Sequence, residues 1–350
     1  MDARKEKAMP NLDPKPRITV VGAGAIGSLI GGLLAYSGED VTLVARQEHV
    51  EAIRAKGLVI EGVLGRLTIP VQASQTLDFQ PDLVLLAVKT QDVEITCQQV
   101  KALVQDTPIL TLQNGVSSDN IVASLLPGEN ILSGVVMLNV QFLDPGKITY
   151  ARPGSLIIGE AFGRNGQRVR DIQALLNRAI RTSVSDNIQG VHWTKLLVNN
   201  LANGLEAMTG LSLKECMRHA GLRRIGIMTL KEGYEVIEKA GIHTAPLPGV
   251  PAPILEFLLH SPVQIGAGTL KLVMGSSRTL SSTLQSLRRG RPTEIDFLNG
   301  EIVKLGQQVG LAAPYNARVV EIVKGVEKSR QFHTPDELIN LFQSLPLKAC

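Results

Sequence analysis

Along the first half of the chain the apolar positions come in short unbroken runs, not in alternation. Ile18 to Val21, Asp40 to Ala45, Asp82 to Val88, Ile109 to Leu112, Ile131 to Leu138 and Leu156 to Ile158 are rich in Val, Ile and Leu. Such runs suit strands buried on both faces, as in a parallel sheet. A polar segment with helical spacing, Val93 to Val104, separates two of them. Strand and helix in alternation predict a doubly wound sheet with its ligands at the carboxyl ends of the strands.

After about residue 185 the rhythm changes, and apolar residues recur at three and four. Helices are predicted over Leu222 to Ala240, Ile295 to Val309 and Ala317 to Lys328. In the second, Ile295, Leu298, Ile302, Leu305 and Val309 share one face before Gly310 stops it. Thr334, Pro335 and Glu337 supply N-cap, first turn and capping box for a last short helix. Residues 246 to 253, PLPGVPAP, read as a rigid internal loop. The expected fold class is α/β: a loose tail over 1–16, an N-terminal Rossmann-type doubly wound sheet over 17–185, and an all-helical C-terminal domain over 186–350.

The stretch Ile18 to Gly38 needs a decision of its own. It follows Lys15 and Arg17 and is nearly uncharged for about twenty residues, as a membrane span or secretory signal would be. Gly22, Gly24, Gly27, Gly31 and Gly32 argue against one continuous helix, each costing about 1 kcal/mol against Ala. A strand, a GAGAIG loop and a helix from Ser28 to Tyr36 explain the glycines better. The first allows the tight turn, the second lets backbone approach a pyrophosphate, and the third permits close packing of helix on strand. The loop Gly22, Ala23, Gly24, Ala25, Ile26 and Gly27 is thus a candidate dinucleotide site, with phosphates on the free amides of the helix start.

Composition narrows the class further. The 350 residues suffice for about two domains, and 44% apolar with 19% charged is ordinary for a globular protein. Five basic against three acidic residues in the first seventeen leave the rest of the formal +4 at only about +2. With 3% aromatics this does not suggest a nucleic-acid groove. Cys97, Cys216 and Cys350 are scattered without C-x-x-C spacing, which reads as reduced thiols in a cytoplasmic protein and no metal site.

Three further positions draw attention. Arg46 stands nineteen residues after Gly27, where an NAD site usually offers Asp or Glu to the ribose. A guanidinium there suits a 2′-phosphate, hence NADP, the alternative being an ordinary surface Arg. Lys89 closes the DLVLLAVKT strand, either in a site or as a solvated cap. Asn114 opens the QNG loop, either a type I′ hairpin turn or a switch-point loop before a helical Val116 to Leu126.

In the second half, HWTKLLVNNLANGL puts Lys195, Asn199 and Asn203 at i, i+4 and i+8 on one side of a helix. A polar stripe is often a solvated face, but Leu196, Leu197, Val198 and Leu201 make much of the remaining circumference apolar, so a cleft could use it. Glu294 opens a helix after Pro292 and Thr293, where the dipole favours a carboxylate with or without a ligand. Arg288, Arg289 and Arg291 read as a solvated loop and are assigned nothing.

Together GAGAIG, LVAR, AVKT, LQNGV, W-x-K-x-x-x-N-x-x-x-N at 193–203 and TEIDFLNG at 293–300 resemble the ketopantoate reductases, over nearly the whole chain beyond the tail. The resemblance implies NADPH as hydride donor and a small 2-oxo acid substrate in an interdomain cleft. It implies Lys195 as general acid and Glu294 as a cleft carboxylate near substrate and cofactor. Asn199, Asn203 and Ser282 match substrate contacts, Asn114 a residue touching both ligands, and Lys89 a lysine near the nicotinamide. Leu213 stands where many members have a further substrate-binding Asn, and Ser286 replaces the usual Asp after the Ser-x-x-Gln segment. Another 2-oxo or 3-hydroxy acid, or a non-catalytic NADP sensor, therefore stays open beside ketopantoate. None of the six His lies in these motifs, which weighs against a His/Asp mechanism. No membrane partner is expected, and an apolar helix face could serve a homodimer or the domain contact.

Overall fold

The β-branched run after the leader forms β1 (Arg17–Val21), and the glycine-bearing segment turns into α1 (Ala25–Tyr36). The computed structural model describes residues 15–274 and 280–346, in two units, one ending at Ile188 and one beginning at Gln189. The expected tail lies, up to residue 14, outside the described residues.

In the first unit β2 (Asp40–Val44), α2 (Gln47–Lys56), β3 (Leu58–Gly62), β4 (Gly65–Ile69), β5 (Gln72–Ser74) and β6 (Leu83–Leu86) follow in order. Then come α3 (Val93–Val104), β7 (Ile109–Thr111), α4 (Ser118–Ala123), β8 (Ile131–Val136), β9 (Asn139–Asp144), β10 (Lys147–Arg152), β11 (Leu156–Glu160), α5 (Gln167–Leu176) and β12 (Thr182–Val184). The main sheet runs β5-β2-β1-β6-β7-β8-β11-β12. Strand order reverses at β1, so β1 and β6 diverge at the switch point where such sheets take ligands.

The sheet is parallel except between β8 and β11, which corrects the expectation that Leu156 to Ile158 continues the parallel pattern. A parallel return needs a crossover of a dozen or more residues, usually a helix. Here β9 and β10 occupy the connection instead. They join β3 and β4 in a second sheet, β4-β3-β10-β9, that the apolar runs did not disclose, because its strands are only half buried.

That second sheet explains the apolar α1. A Cβ at Gly31 would lie 2.5 Å from Leu43 Cδ2 in the main sheet, and one at Gly32 would lie 2.6 Å from Leu58 Cδ2 in the other. The helix is covered on two sides and hydrophobic nearly all round, as a core helix can be. Among the described residues no helix is long and apolar enough to cross a membrane.

The second unit is helical: α6 (Ile188–Thr209), α7 (Leu213–Cys216), α8 (Ala220–Lys239), α9 (Ala252–His260), α10 (Val263–Met274), α11 (Ser282–Arg288), α12 (Asn299–Val309), α13 (Pro314–Ser329) and α14 (Pro335–Gln343). The capping box at Thr334 forms as expected, and Gly310 ends α12 in the left-handed conformation. Glu232 of α8 satisfies the amide donors that open α13, accepting from Tyr315 at 2.9 Å and Asn316 at 2.8 Å. Asn316 carries the tie onward to Asn299 of α12 at 2.9 Å.

The helix expected over Ile295 to Val309 is broken. Ile295–Phe297 is a single 3-10 turn, Leu298 leaves the helical region at φ −118° and ψ −100°, and α12 begins only at Asn299. Both Ile295 and Leu298 stay buried, so the apolar periodicity survives the break and cannot reveal it.

Candidate active site

At the carboxyl end of β1 the loop is fastened to β2: the amides of Gly22 and Ala23 both donate to Val44 O, at 3.0 and 2.9 Å. Val44 lies two residues before Arg46, which is exposed and precedes the first turn of α2. Gly22 has φ +96°, and a Cβ there would lie 2.5 Å from Val88 N at the end of β6. A Cβ at Gly27 would lie 2.5 Å from Gly22 O and 2.9 Å from Val20 Cγ1, so the helix packs on the strand only without one.

Gly24 differs. Its φ of −77° and ψ of −151° suit any residue, and a Cβ would meet no protein atom within 4 Å among the described residues. Neither backbone strain nor packing within the chain requires glycine here. A phosphate approaching the backbone would. Residues Ala25, Ile26 and Gly27 then open α1, whose first turn has no acidic side chain and no side-chain cap, leaving its amide donors to an anion.

A relay that the sequence did not advertise supports the loop. The Gly146 amide donates to His49 Nδ1 at 2.8 Å, so the proton of the neutral ring sits on Nε2, facing Ser28 Oγ at 3.0 Å. Ser28 Oγ in turn donates to Ala23 O at 3.0 Å. Burial pulls His49 down to about 4, keeping it neutral. No motif marks His49 or Ser28; only the second sheet, which supplies Gly146, makes the relay visible.

Lys89 and Asn114 stand at the ends of neighbouring strands, β6 and β7. Gln113, buried and not singled out from sequence, donates to Leu86 O at 2.8 Å and Val88 O at 3.1 Å, and Thr90 Oγ1 reaches Asn114 O at 3.2 Å. The two loops are thereby stitched together. Lys89 is half-buried before a 3-10 turn over Thr90–Asp92, and not the solvated cap. The hairpin alternative at Asn114 falls, because β7 pairs in parallel with β6 and β8. The helix expected over Val116 to Leu126 is the shorter α4, held off by a loop at Gly115 with φ +91°.

In the second unit Lys195, Asn199 and Asn203 do share one edge of α6. Lys195 and Asn199 are half-buried and Asn203 is 8% exposed, so the stripe is not a solvated face. Burial pulls the Lys195 ammonium down to about 8, with the Glu294 carboxylate acting in the opposite sense. The two groups are thus in electrostatic reach, and Glu294 precedes the 3-10 turn instead of opening a long helix. Ser282 is the first residue of α11, after Ser281, whose Oγ caps it by accepting from Leu284 N at 3.3 Å. Arg288 is not idle: its Nη2 donates to Gly210 O at 3.0 Å.

Asn200, one residue past Asn199, is 2% exposed, and among the described residues neither of its amide atoms has a hydrogen-bond partner. Cys97 and Cys216 are free and buried, and burial pushes both thiols up to about 11. Cys350 lies outside the described residues. No metal-binding cluster of His, Cys, Asp or Glu occurs among the described residues.

Chemically, one unit offers a glycine loop at an uncapped helix start, with a cation just after the second strand. The other offers an ammonium of lowered pKa flanked by amides and a carboxylate. A family model described as ketopantoate reductase PanE/ApbA matches residues 18–163, and its C-terminal counterpart matches 187–327. The 2-dehydropantoate 2-reductase of Pyrococcus horikoshii is 34% identical over 314 residues, covering 89% of this chain and 97% of its own length. The crystal structure of a PanE/ApbA family ketopantoate reductase from Ralstonia eutropha JMP134 gives a TM-score of 0.76 at 30% identity, covering 90% of this chain and 99% of that one. The ternary structure of D-mandelate dehydrogenase with NADH and anilino(oxo)acetate gives 0.79 at 24% identity, covering 89% and 99%, a likeness of fold alone.

Proposed function

This chain belongs to the ketopantoate reductase family, and from that membership we propose that it reduces 2-dehydropantoate to pantoate in pantothenate biosynthesis, with NADPH as hydride donor. The observation that carries the reading is Lys195: an ammonium with lowered pKa, beside Glu294, at the head of a ladder of two asparagines.

The Gly22 to Gly27 loop, the start of α1, Arg46, Lys89 and Asn114 would hold the nucleotide, which when bound would supply the hydride. Gly24, free of any packing reason to be glycine, fits a pyrophosphate. Hydride arriving at the carbonyl carbon leaves an alkoxide that needs a proton at once. Lys195 polarises the oxygen and gives that proton, Glu294 favours its charged form, and Asn199, Asn203 and Ser282 hold the hydroxyl and carboxylate without competing for charge. The buried thiols suit a cytoplasmic enzyme.

A proton donor of pKa about 8 gives a definite pH profile. For the reduction, kcat/KM is expected to be level below about pH 8 and to fall about tenfold per unit above it, as the ammonium is lost. The reverse oxidation, which needs the free amine as base, should change in the opposite sense. Initial rates in both directions between pH 6 and 10, the range set by that donor, check this; a reduction rate still level at the top of the range removes Lys195 as donor.

Cofactor choice tests the other unit. Arg46→Asp should erode the preference for NADPH over NADH by about tenfold or more, read as the ratio of kcat/KM values. An unaltered ratio assigns the 2′-phosphate to another residue. The function itself is tested by NADPH oxidation with ketopantoate against close 2-oxo acids, and by NADP+ reduction with 3-hydroxy acids. Leu213, buried where many family members have Asn, favours a second reading in which a less polar 2-oxo acid is preferred.

A further inference from the structure

Three residues past Asn203 on α6, Glu206 is a buried carboxylate, only 1% exposed. Its Oε1 accepts the Leu213 amide at 2.8 Å, its Oε2 accepts the Ser281 amide at 2.6 Å, and the Ser281 hydroxyl contributes a further hydrogen bond. Burial pushes its pKa up, opposed by these bonds and by the charge of Arg288. A carboxylate in that position is costly to bury, and the donors that compensate it come from two segments outside its own helix.

Those segments are the ones next to the ladder's proposed partners. Ser281 caps α11 and immediately precedes Ser282, while Leu213 opens α7. At the far end of α11 the Arg288 guanidinium bonds Gly210 O, one turn beyond Glu206 in the chain. The short helix is therefore fastened at both ends to the segment that follows Asn203. An apolar residue at 206 would release both amides at once.

We propose that Glu206 is a positioning residue for the 2-oxo acid: by holding the Leu213 and Ser281 amides it sets Ser282 and Leu213 in fixed register with Asn203. The proposal rests on the substrate reading above. Its action is on binding, not on proton transfer, because it lies eleven residues, about three turns of α6, from Lys195.

The test uses the intact enzyme with NADPH and ketopantoate. Glu206→Gln offers one carbonyl for two amide donors and turns an NH2 against the other. It should raise KM for the acid by about tenfold or more, with kcat within about threefold and the Kd for NADPH unchanged. Glu206→Asp, with both oxygens drawn back by one methylene, should give an intermediate KM. Hydrogen exchange at the Leu213 and Ser281 amides should accelerate in Glu206→Gln, a readout that needs no turnover. An unchanged KM in a Gln variant with a cooperative melting transition overturns the proposal, and so does an equal loss of kcat and of affinity for both ligands. If the Gln variant does not fold, the Asp variant decides by the same split between KM and kcat. A wild type that reduces no 2-oxo acid would remove the substrate reading, and the exchange rates would still show separately whether Glu206 holds the two segments.

Discussion

Lys195→Ala is expected to lower turnover by about 10²- to 10⁴-fold while leaving the Kd for NADPH within about threefold. The loss is that of a proton donor placed at the developing alkoxide, so it should appear in kcat and in kcat/KM alike. On the proposed reading the nucleotide is held by the Gly22 to Gly27 loop and Arg46, which belong to the other unit. Lys195→Arg separates two contributions. Its guanidinium keeps the charge that polarises the carbonyl, but it stays protonated and cannot deliver the proton. The Arg variant should therefore keep the KM for the acid, as the Ala variant does, without recovering the rate. Turnover unchanged in Lys195→Ala, measured by NADPH oxidation, would remove the residue from the mechanism.

The second large effect concerns two glycines of one loop. Gly22→Ala should destabilise the protein by about 2 to 5 kcal/mol, since a side chain at φ +96° is strained and its Cβ would lie 2.5 Å from the Val88 backbone nitrogen. Gly24→Ala should change stability by no more than about 1 kcal/mol, because its backbone is extended and nothing in the described chain is near. Yet it should weaken NADPH binding by about tenfold or more, a methyl standing where the pyrophosphate must approach. Chemical denaturation and cofactor titration of the two variants give the contrast. Full NADPH affinity in Gly24→Ala would mean the phosphates sit elsewhere.

The glycine loop was legible because its stereochemistry is local: GAGAIG turns and starts a helix within six residues. The ladder was legible because i and i+4 on a helix are neighbours whatever surrounds them. His49, Gln113 and Glu206 were not, and for one reason. Each acts by a bond to a residue distant in the chain, Gly146, Leu86 or Ser281, and no local pattern encodes the partner. The missed break at Leu298 has a related cause, since a buried apolar residue looks the same in a helix and just outside one.

The sequence by itself determined the alternation of buried strands and helices, the helical second half, the capped last helix and the family to which the chain belongs. These follow from periodicity, glycine stereochemistry and short motifs, all read within a turn or a strand. Tertiary structure alone decided that β11 runs antiparallel, that a second sheet covers α1, and that Glu206 ties α6 to the start of α11. Pairing direction and the satisfaction of buried polar groups depend on which distant segments meet, and that is settled only when the whole core closes.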